Sequence, residues 1–222
     1  MEEFKFSNRR SFIKKIVFGS LSITFLNSFT FLKKRDKIKK ITILHTNDIH
    51  SHIDSFPENH SKYGGRGGIR RIASLIKKIR SKEENVLLID AGDIFQGTPY
   101  FNKYKGSLEL KIMSQMGYLA STMGNHDFDN GLNGFDNVLH HANFPFICSN
   151  YDFSETILKN KTVKFLINET DGIKIGFFGL GIKLEGLVDK KCFENTKYLD
   201  PLKTSEYWAC LLYTSDAADE PV

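Results

Sequence analysis

Between Lys39 and Cys148, short apolar runs alternate with segments whose apolar residues recur at helical spacing. Four runs predict buried strands, at residues 41–44, 86–89, 119–122 and 144–148. Three intervening segments predict amphipathic helices, at residues 69–79, 107–116 and 132–139. Strands that alternate with helices form βαβ units, in which parallel strands are joined by crossover helices. The pattern therefore predicts the α/β fold class with a largely parallel sheet.

The pattern changes after residue 160. Apolar and polar residues alternate over residues 163–167 and again over 173–177, with Asp171-Gly172 between the two segments. Two alternating segments joined by a short turn of this type predict a β-hairpin. We therefore expect a mixed sheet, with an antiparallel part late in the chain.

Polar side chains of the metal-binding type follow three of the predicted strands. Asp48 and His50 follow the first strand, Asp93 follows the second, and Asn125 with His126 follows the third. Ligands of open α/β sheets bind beyond the carboxyl ends of the strands. We therefore expect these side chains to converge at one edge of the sheet.

The residue types favour divalent metal ions at this edge. Asp48 and His50 are two residues apart, so their side chains point the same way in an extended segment. The carboxylate of Asp93 has two oxygens and could bridge two cations, and Asn125 could be one of the ligands of the second cation. A mixture of carboxylate, amide and imidazole ligands suits Mn, Zn or Fe. Two such ions can bind a phosphate and activate a water for in-line displacement.

The run from Met123 to Asn130 adds an acid–base pair. Asp129 lies three residues after His126, close enough to orient an imidazole that could donate a proton to a leaving oxygen. Each of these pieces alone is also typical of an ordinary polar turn. Their order, each just after a strand, favours a site over chance.

The successive runs HTNDIHSH, GGRGG, DAGDIFQGT and MGNHDFDNG resemble the catalytic domain of the 5′-nucleotidase family of calcineurin-like metallophosphatases over about residues 40–200. Gln96-Gly97, in place of Asp-Arg-Gly, points to the nucleotidase branch. The resemblance implies a four-layer α/β/β/α sandwich. It also implies that Asp48, His50, Asp93 and Asn125 bind two metal ions, with Asp93 bridging, and that His126 and Asp129 form the catalytic dyad.

The resemblance implies a metal-dependent phosphoester hydrolase, most simply a 5′-nucleotidase that acts on a small-molecule nucleotide. The alternatives within the fold are a 2′,3′-cyclic-nucleotide phosphodiesterase, a nucleotide-sugar hydrolase and a thiosulfohydrolase. An alternative of another class is a non-catalytic metal-binding surface protein, against which the presence of both His126 and Asp129 argues. The sequence does not predict an oligomeric state.

The chain also departs from the family. Family members supply further metal-binding histidines downstream, whereas no histidine follows His141 here. We therefore expect a partial catalytic domain over residues 39–208, with a sandwich incomplete at its C-terminus, and weak activity. Residues 209–222 resemble a translated sequencing adapter, so we expect a non-native tail; a naturally variable tail is the alternative.

Charge and composition single out the N-terminal segment. Residues 1–40 contain eleven basic and three acidic residues, a net of +8, so the remaining residues carry −3 of the total of +5. No nucleic-acid-binding face is therefore implied. The pair Arg9-Arg10, followed by the uncharged stretch 16–32, resembles a bacterial twin-arginine export signal. We expect residues 1–38 to be an export signal or a membrane tether, which predicts a periplasmic or cell-surface location.

Overall fold

The computed structural model describes residues 38–214. The predicted export signal or tether therefore lies outside the described residues apart from Ile38, as do residues 215–222 of the predicted non-native tail. None of the helices within the described range is long and apolar enough to span a bilayer.

The described chain contains six strands, six α-helices and one short 3-10 helix. The strands are β1 (Thr42–Thr46), β2 (Val86–Asp90), β3 (Tyr151–Asp152), β4 (Phe165–Thr170), β5 (Ile173–Phe178) and β6 (Lys197–Tyr198). The helices are α1 (Ile69–Arg80), α2 (Pro99–Tyr104), α3 (Ser107–Met116), α4 (Gly131–Leu139), α5 (Lys190–Phe193) and α6 (Pro201–Thr214), and the 3-10 helix spans His126–Phe128. The predicted alternation of strands and helices is confirmed.

Parallel pairing orders the first half of the chain. β1 pairs with β2 in parallel register, with Thr42 opposite Val86 and Thr46 opposite Asp90. Single parallel bridges extend this pairing from β2 to Ala120, from Ser121 to Phe146 and from Ile147 to Val163. The carboxyl ends of these segments therefore lie at one edge, as the sequence predicts.

Two of the predicted strands are shorter than expected. The segments predicted at 119–122 and 144–148 pair only through the single bridges and are not continuous strands. Pro145 lies in the second segment and has no N–H to donate, so it interrupts the ladder; its carbonyl still accepts the Ser121 N–H at 3.1 Å. β1 was also predicted to be buried, and this is wrong for one face, because Ile43 is 48% exposed on a strand whose described partner is β2 alone.

The antiparallel hairpin is confirmed. β4 and β5 pair from Phe165 opposite Phe178 to Thr170 opposite Ile173. Asp171 and Gly172 both have positive φ angles, of 53° and 70°, which is the geometry of a two-residue turn that matches strand twist.

Helix α6 packs against this hairpin. The ring of Trp208 lies 5.1 Å from that of Phe165, and Leu212 lies against the open side of Gly176. The described part of the predicted tail, residues 209–214, continues this helix, and its origin stays a prediction.

The core lies beneath the predicted site. Phe95, Phe128 and Phe135 are almost completely buried, and the ring of Phe135 lies 6.0 Å from Phe95 and 4.9 Å from Phe146. Phe95 and Phe128 belong to the loops that follow two of the parallel segments. Burial of these rings, worth about 1.5–3 kcal/mol each, anchors the loops that carry the polar side chains.

Candidate metal centre

Three loops meet at the carboxyl edge of the parallel segments. We name them loop 1 (residues 47–52, after β1), loop 2 (residues 91–97, after β2) and loop 3 (residues 123–130). Loop 1 runs along loop 2, because the backbone N–H groups of Asp48, His50 and Ser51 donate to the carbonyls of Gly92, Asp93 and Ile94 at 3.1, 3.1 and 2.9 Å. This pairing fixes the first two loops against each other.

The structure brings Asp48, His50 and Asp93 together. One ligand atom from each lies within 4.8 Å of the others. The Nε2 atom of His50 lies 3.5 Å from an oxygen of Asp48, and its Nδ1 lies 3.3 Å from the carbonyl oxygen of Phe95. A backbone carbonyl at Nδ1 is the usual partner that orients a metal-binding histidine through its other nitrogen. The donor set and its spacing therefore fit a divalent cation.

Loop 3 places His126 beside this cluster. The backbone N–H of His126 donates to Asp93 Oδ1 at 2.9 Å, and the imidazole rings of His126 and His50 lie 5.1 Å apart in an edge-to-face arrangement. The Nδ1 atom of His126 lies 2.9 Å from Asp129 Oδ2, as the spacing of these residues predicts. This bond leaves Nε2 as the ring nitrogen directed away from Asp129.

The surroundings of His126 favour its protonated form. Partial burial lowers its pKa, but the hydrogen bond and charge of Asp129, with the charges of Asp93 and Asp127, outweigh burial and raise the pKa above its ordinary value. Side chains of His126 and Asp129 are 37% and 27% exposed, so the pair is open to a ligand.

Asn125 directly precedes His126 and starts the 3-10 helix, with its carbonyl accepting the Phe128 N–H at 3.2 Å. Its backbone is therefore held at the same edge, one residue from the N–H that binds Asp93. Its role as a metal ligand stays a prediction.

Two glycines permit the close approach of loops 2 and 3. A Cβ at Gly92, whose φ is +97°, would lie 2.6 Å from the backbone nitrogen of Gly124. A Cβ at Gly124 would overlap the carboxylate of Asp93. Any side chain at Gly124 would therefore displace the proposed bridging ligand.

Asp127 is a buried carboxylate that the sequence pattern does not single out. Its carboxylate is fully buried and accepts four backbone N–H groups, from Asp93, Ile94, Phe95 and Gly124, at 2.9–3.1 Å. Burial raises the pKa of this carboxyl to about 7, although the hydrogen bonds favour the ionised form. Asp127 therefore joins loop 2 to loop 3.

Asp90 is the second buried carboxylate, at the end of β2. It accepts hydrogen bonds from Thr46 at 2.6 Å, from the Gly92 N–H at 2.9 Å and from Ser121 at 2.9 Å. It thereby ties together the ends of three neighbouring parallel segments. Burial raises its pKa.

Glu109 is the third, in the first turn of α3. It is 2% exposed and accepts the hydroxyl of Ser51 at 2.6 Å, while its Oε2 has no hydrogen-bond partner among the described residues. Because Ser51 follows His50, this bond anchors loop 1. The sequence does hold a signal for Asp90, Asp127 and Glu109, because each is an acidic residue that lies close to the end of a predicted strand or on the apolar face of a predicted helix.

His52, His140 and His141 lie outside the cluster. His52 Nδ1 lies 3.0 Å from the carbonyl oxygen of His50, and the ring of His52 lies 4.9 Å from that of Phe56. His140 and His141 follow the last residue of α4 and contact each other, with ring centroids 3.8 Å apart.

Comparison with known proteins gives a consistent result. A family model described as "calcineurin-like phosphoesterase" matches residues 41–208. The chain is 39% identical over 151 residues to the snake venom 5′-nucleotidase of Crotalus adamanteus, which covers 65% of this chain and 26% of that protein. It is 44% identical over 116 residues to the 5′-nucleotidase of Bos taurus, which covers 50% of this chain and 20% of that protein. The chain thus spans about a quarter of the length of these relatives, or less.

A solved structure shares the fold. The crystal structure of a 5′-nucleotidase precursor from Thermus thermophilus superposes with a TM-score of 0.70 and 30% sequence identity, over 79% of this chain and 35% of that chain. The α/β fold class and the calcineurin-like metallophosphatase fold are confirmed.

Proposed function

The chain belongs to the calcineurin-like phosphoesterase family, a family that works with divalent metal ions, and on that premise we propose that it hydrolyses phosphate monoesters of nucleotides as a 5′-nucleotidase. The observation that supports this most directly is the convergence of Asp48, His50 and Asp93 within 4.8 Å of one another, beside the His126–Asp129 pair. Similarity to the 5′-nucleotidases of Crotalus adamanteus and Bos taurus favours nucleotides as the substrate class.

Two divalent ions, Mn, Zn or Fe, are the cofactors in this proposal. Asp48 and His50 would hold one ion, Asp93 would serve both ions, and Asn125 would bind the second. Bound ions of this kind lower the pKa of a water and neutralise charge on phosphate. The mixture of oxygen and imidazole donors supports this choice of metals.

The protein's own contribution to the reaction is proton transfer and orientation. The attacking water releases one proton to the solvent, its oxygen forms a bond with phosphorus, and the bond from phosphorus to the ester oxygen breaks. His126 Nε2 donates a proton to the departing oxygen, while Asp129 holds the ring through Nδ1. The hydrogen bond and charge of Asp129 raise the pKa of His126, which favours the protonated ring.

The test is release of phosphate from AMP by the full chain, with Mn²⁺ and with excess chelator. Chelator should abolish turnover, and His126→Asn should lower kcat by roughly 10²- to 10⁴-fold. His140→Asn is the matched control, because it makes the same change outside the site. Turnover that survives chelator, or that His126→Asn leaves unchanged, would contradict the proposal. A parallel panel with 2′,3′-cyclic AMP, a nucleotide sugar and a thiosulfonate substrate separates the alternatives within the fold.

We also propose that residues 1–38 direct export, either as a cleaved signal or as a tether, to the periplasm or cell surface. Arg9-Arg10 and the uncharged stretch 16–32 support this. A reporter fused to residues 1–38 should reach the periplasm of a bacterial host, and replacing both arginines with lysine should retain it in the cytoplasm. If the reporter still reaches the periplasm after this replacement, the twin-arginine route is excluded.

A further inference from the structure

We propose that Asp127 is a positioning residue that fixes loop 2 and loop 3 against each other and thereby sets the orientation of the Asp93 carboxylate and of His126. The proposal deepens the proposed function and rests on it for the part that concerns metal binding. Asp127 itself touches neither metal nor substrate in this scheme.

The inference rests on the hydrogen bonds that the Asp127 carboxylate accepts. One carboxylate oxygen accepts the N–H groups of Asp93 and Gly124 at 3.0 and 2.9 Å, and the other accepts those of Ile94 and Phe95 at 3.0 and 3.1 Å. Three of these donors belong to loop 2 and one to loop 3. A single fully buried side chain therefore satisfies four backbone donors of two separate loops.

These contacts lead directly to the proposed ligands. Asp93 has a left-handed backbone, with a φ of 55°, that a non-glycine residue adopts only when its surroundings hold it there. Its N–H bond to Asp127 is such a restraint. Its Oδ1 in turn accepts the His126 N–H at 2.9 Å, so a shift of loop 3 would turn the carboxylate.

A side chain with two acceptor oxygens suits this position. All four neighbours are donors, whereas an asparagine would offer one acceptor oxygen and aim its own N–H groups at backbone donors. Asp127→Asn preserves size and should break the N–H bonds on one side. The change thus tests positioning with little loss of packing.

The first test needs no metal. The amides of Asp93, Ile94, Phe95 and Gly124 should exchange slowly with deuterium in the metal-free full chain, although they lie in loops. In Asp127→Asn at least two of them should exchange about tenfold faster or more. The control is Asp136→Asn, the same change at a residue whose partner is the exposed Lys161, and it should leave these amides unchanged. Fast exchange in the wild type, or equal exchange in both variants, would overturn the proposal.

The second test measures Mn²⁺ affinity by electron paramagnetic resonance. Asp127→Asn should weaken Mn²⁺ binding by about 10- to 100-fold, as loss of a group that orients metal ligands does. Leu158→Ala, a buried change in the turn between β3 and β4, controls for general loss of stability and should leave affinity unchanged. Unaltered affinity in Asp127→Asn, alongside faster amide exchange, would refute the link to metal binding. If the wild type binds no Mn²⁺, the proposed function fails, and amide exchange alone decides the role of Asp127.

Discussion

Loss of the Ser51 hydroxyl should expose how strongly loop 1 depends on a buried carboxylate. Ser51 is completely buried and donates to Glu109 Oε1 at 2.6 Å, and Glu109 Oε2 has no partner among the described residues. Ser51→Ala would therefore leave a buried carboxylate without the hydroxyl that stabilises it. A hydrogen bond to a charged group contributes about 1.5–3 kcal/mol. We expect Ser51→Ala to lower the free energy of unfolding by about 2–3 kcal/mol, a large share of the roughly 5–15 kcal/mol of a typical domain.

A double-mutant cycle separates this bond from packing. Glu109→Met replaces the carboxylate with an apolar chain of similar length, which removes the group that needs a donor. In that background Ser51→Ala should cost less than about 0.5 kcal/mol, so the coupling energy should be about 1.5–3 kcal/mol. Simple additivity of the two changes would refute the reasoning.

Urea unfolding of the full chain, followed by the fluorescence of Trp208, provides the assay, because this is the single tryptophan. With a slope of about 1–3 kcal/mol per molar urea, the midpoint for Ser51→Ala should fall by about 1 M. Mn²⁺ affinity should fall in the same variant, because Ser51 adjoins His50 in loop 1.

Three further predictions concern the site and its support. Asp129→Asn should lower the pKa of His126 toward its ordinary value of 6.5 in an NMR titration of the metal-free chain. Because the pKa of His126 is raised in the folded state, the stability that this pair contributes should be complete below pH 6.5 and lost as pH rises through the folded pKa. The free energies of unfolding of the wild type and of Asp129→Asn, measured with urea, should therefore become equal at alkaline pH. Gly124→Ala should weaken Mn²⁺ binding by about 10- to 100-fold in spectroscopic titrations, since its Cβ would displace Asp93. Arg80→Ala should lower the free energy of unfolding by about 1–2 kcal/mol in urea, because its guanidinium binds the carbonyls at the end of α3, and Mn²⁺ affinity should stay unchanged.

The elements that the sequence predicted well are those with a strong period. α1 and α3 and the β4–β5 hairpin appear where apolar spacing indicated them. The short helix α2 was missed because six residues hold too few apolar positions to show a period, although Thr98-Pro99 is a typical helix start and the Thr98 hydroxyl accepts the Tyr100 N–H at 3.3 Å. Local start signals therefore carried information that periodicity did not.

Some residues of the candidate site could likewise be predicted from the sequence, and others could not. Asp48, His50 and Asp93 could be predicted because parallel strands bring their carboxyl ends to one edge. The part played by Asp127 could not, since Asp127 and Asp129 are two residues apart in one acidic turn, and a sequence does not reveal which of them points inward. The structure buries Asp127 completely and leaves part of the Asp129 side chain exposed.

The three buried carboxylates explain how such loops are held at all. Asp48, His50, Ser51 and Asp93 each have φ angles of 47–55°, a conformation that costs a non-glycine residue on the order of 1 kcal/mol or more. The hydrogen bonds of Asp93 to Asp127 and of Ser51 to Glu109 offset that strain locally, at the loops, whereas the apolar core stabilises the helices and strands beneath them. A substitution of one of these carboxylates should therefore loosen the proposed metal ligands without unfolding the domain. In a urea titration of the wild type, Mn²⁺ affinity should be lost at a lower urea concentration than the circular dichroism of the helices.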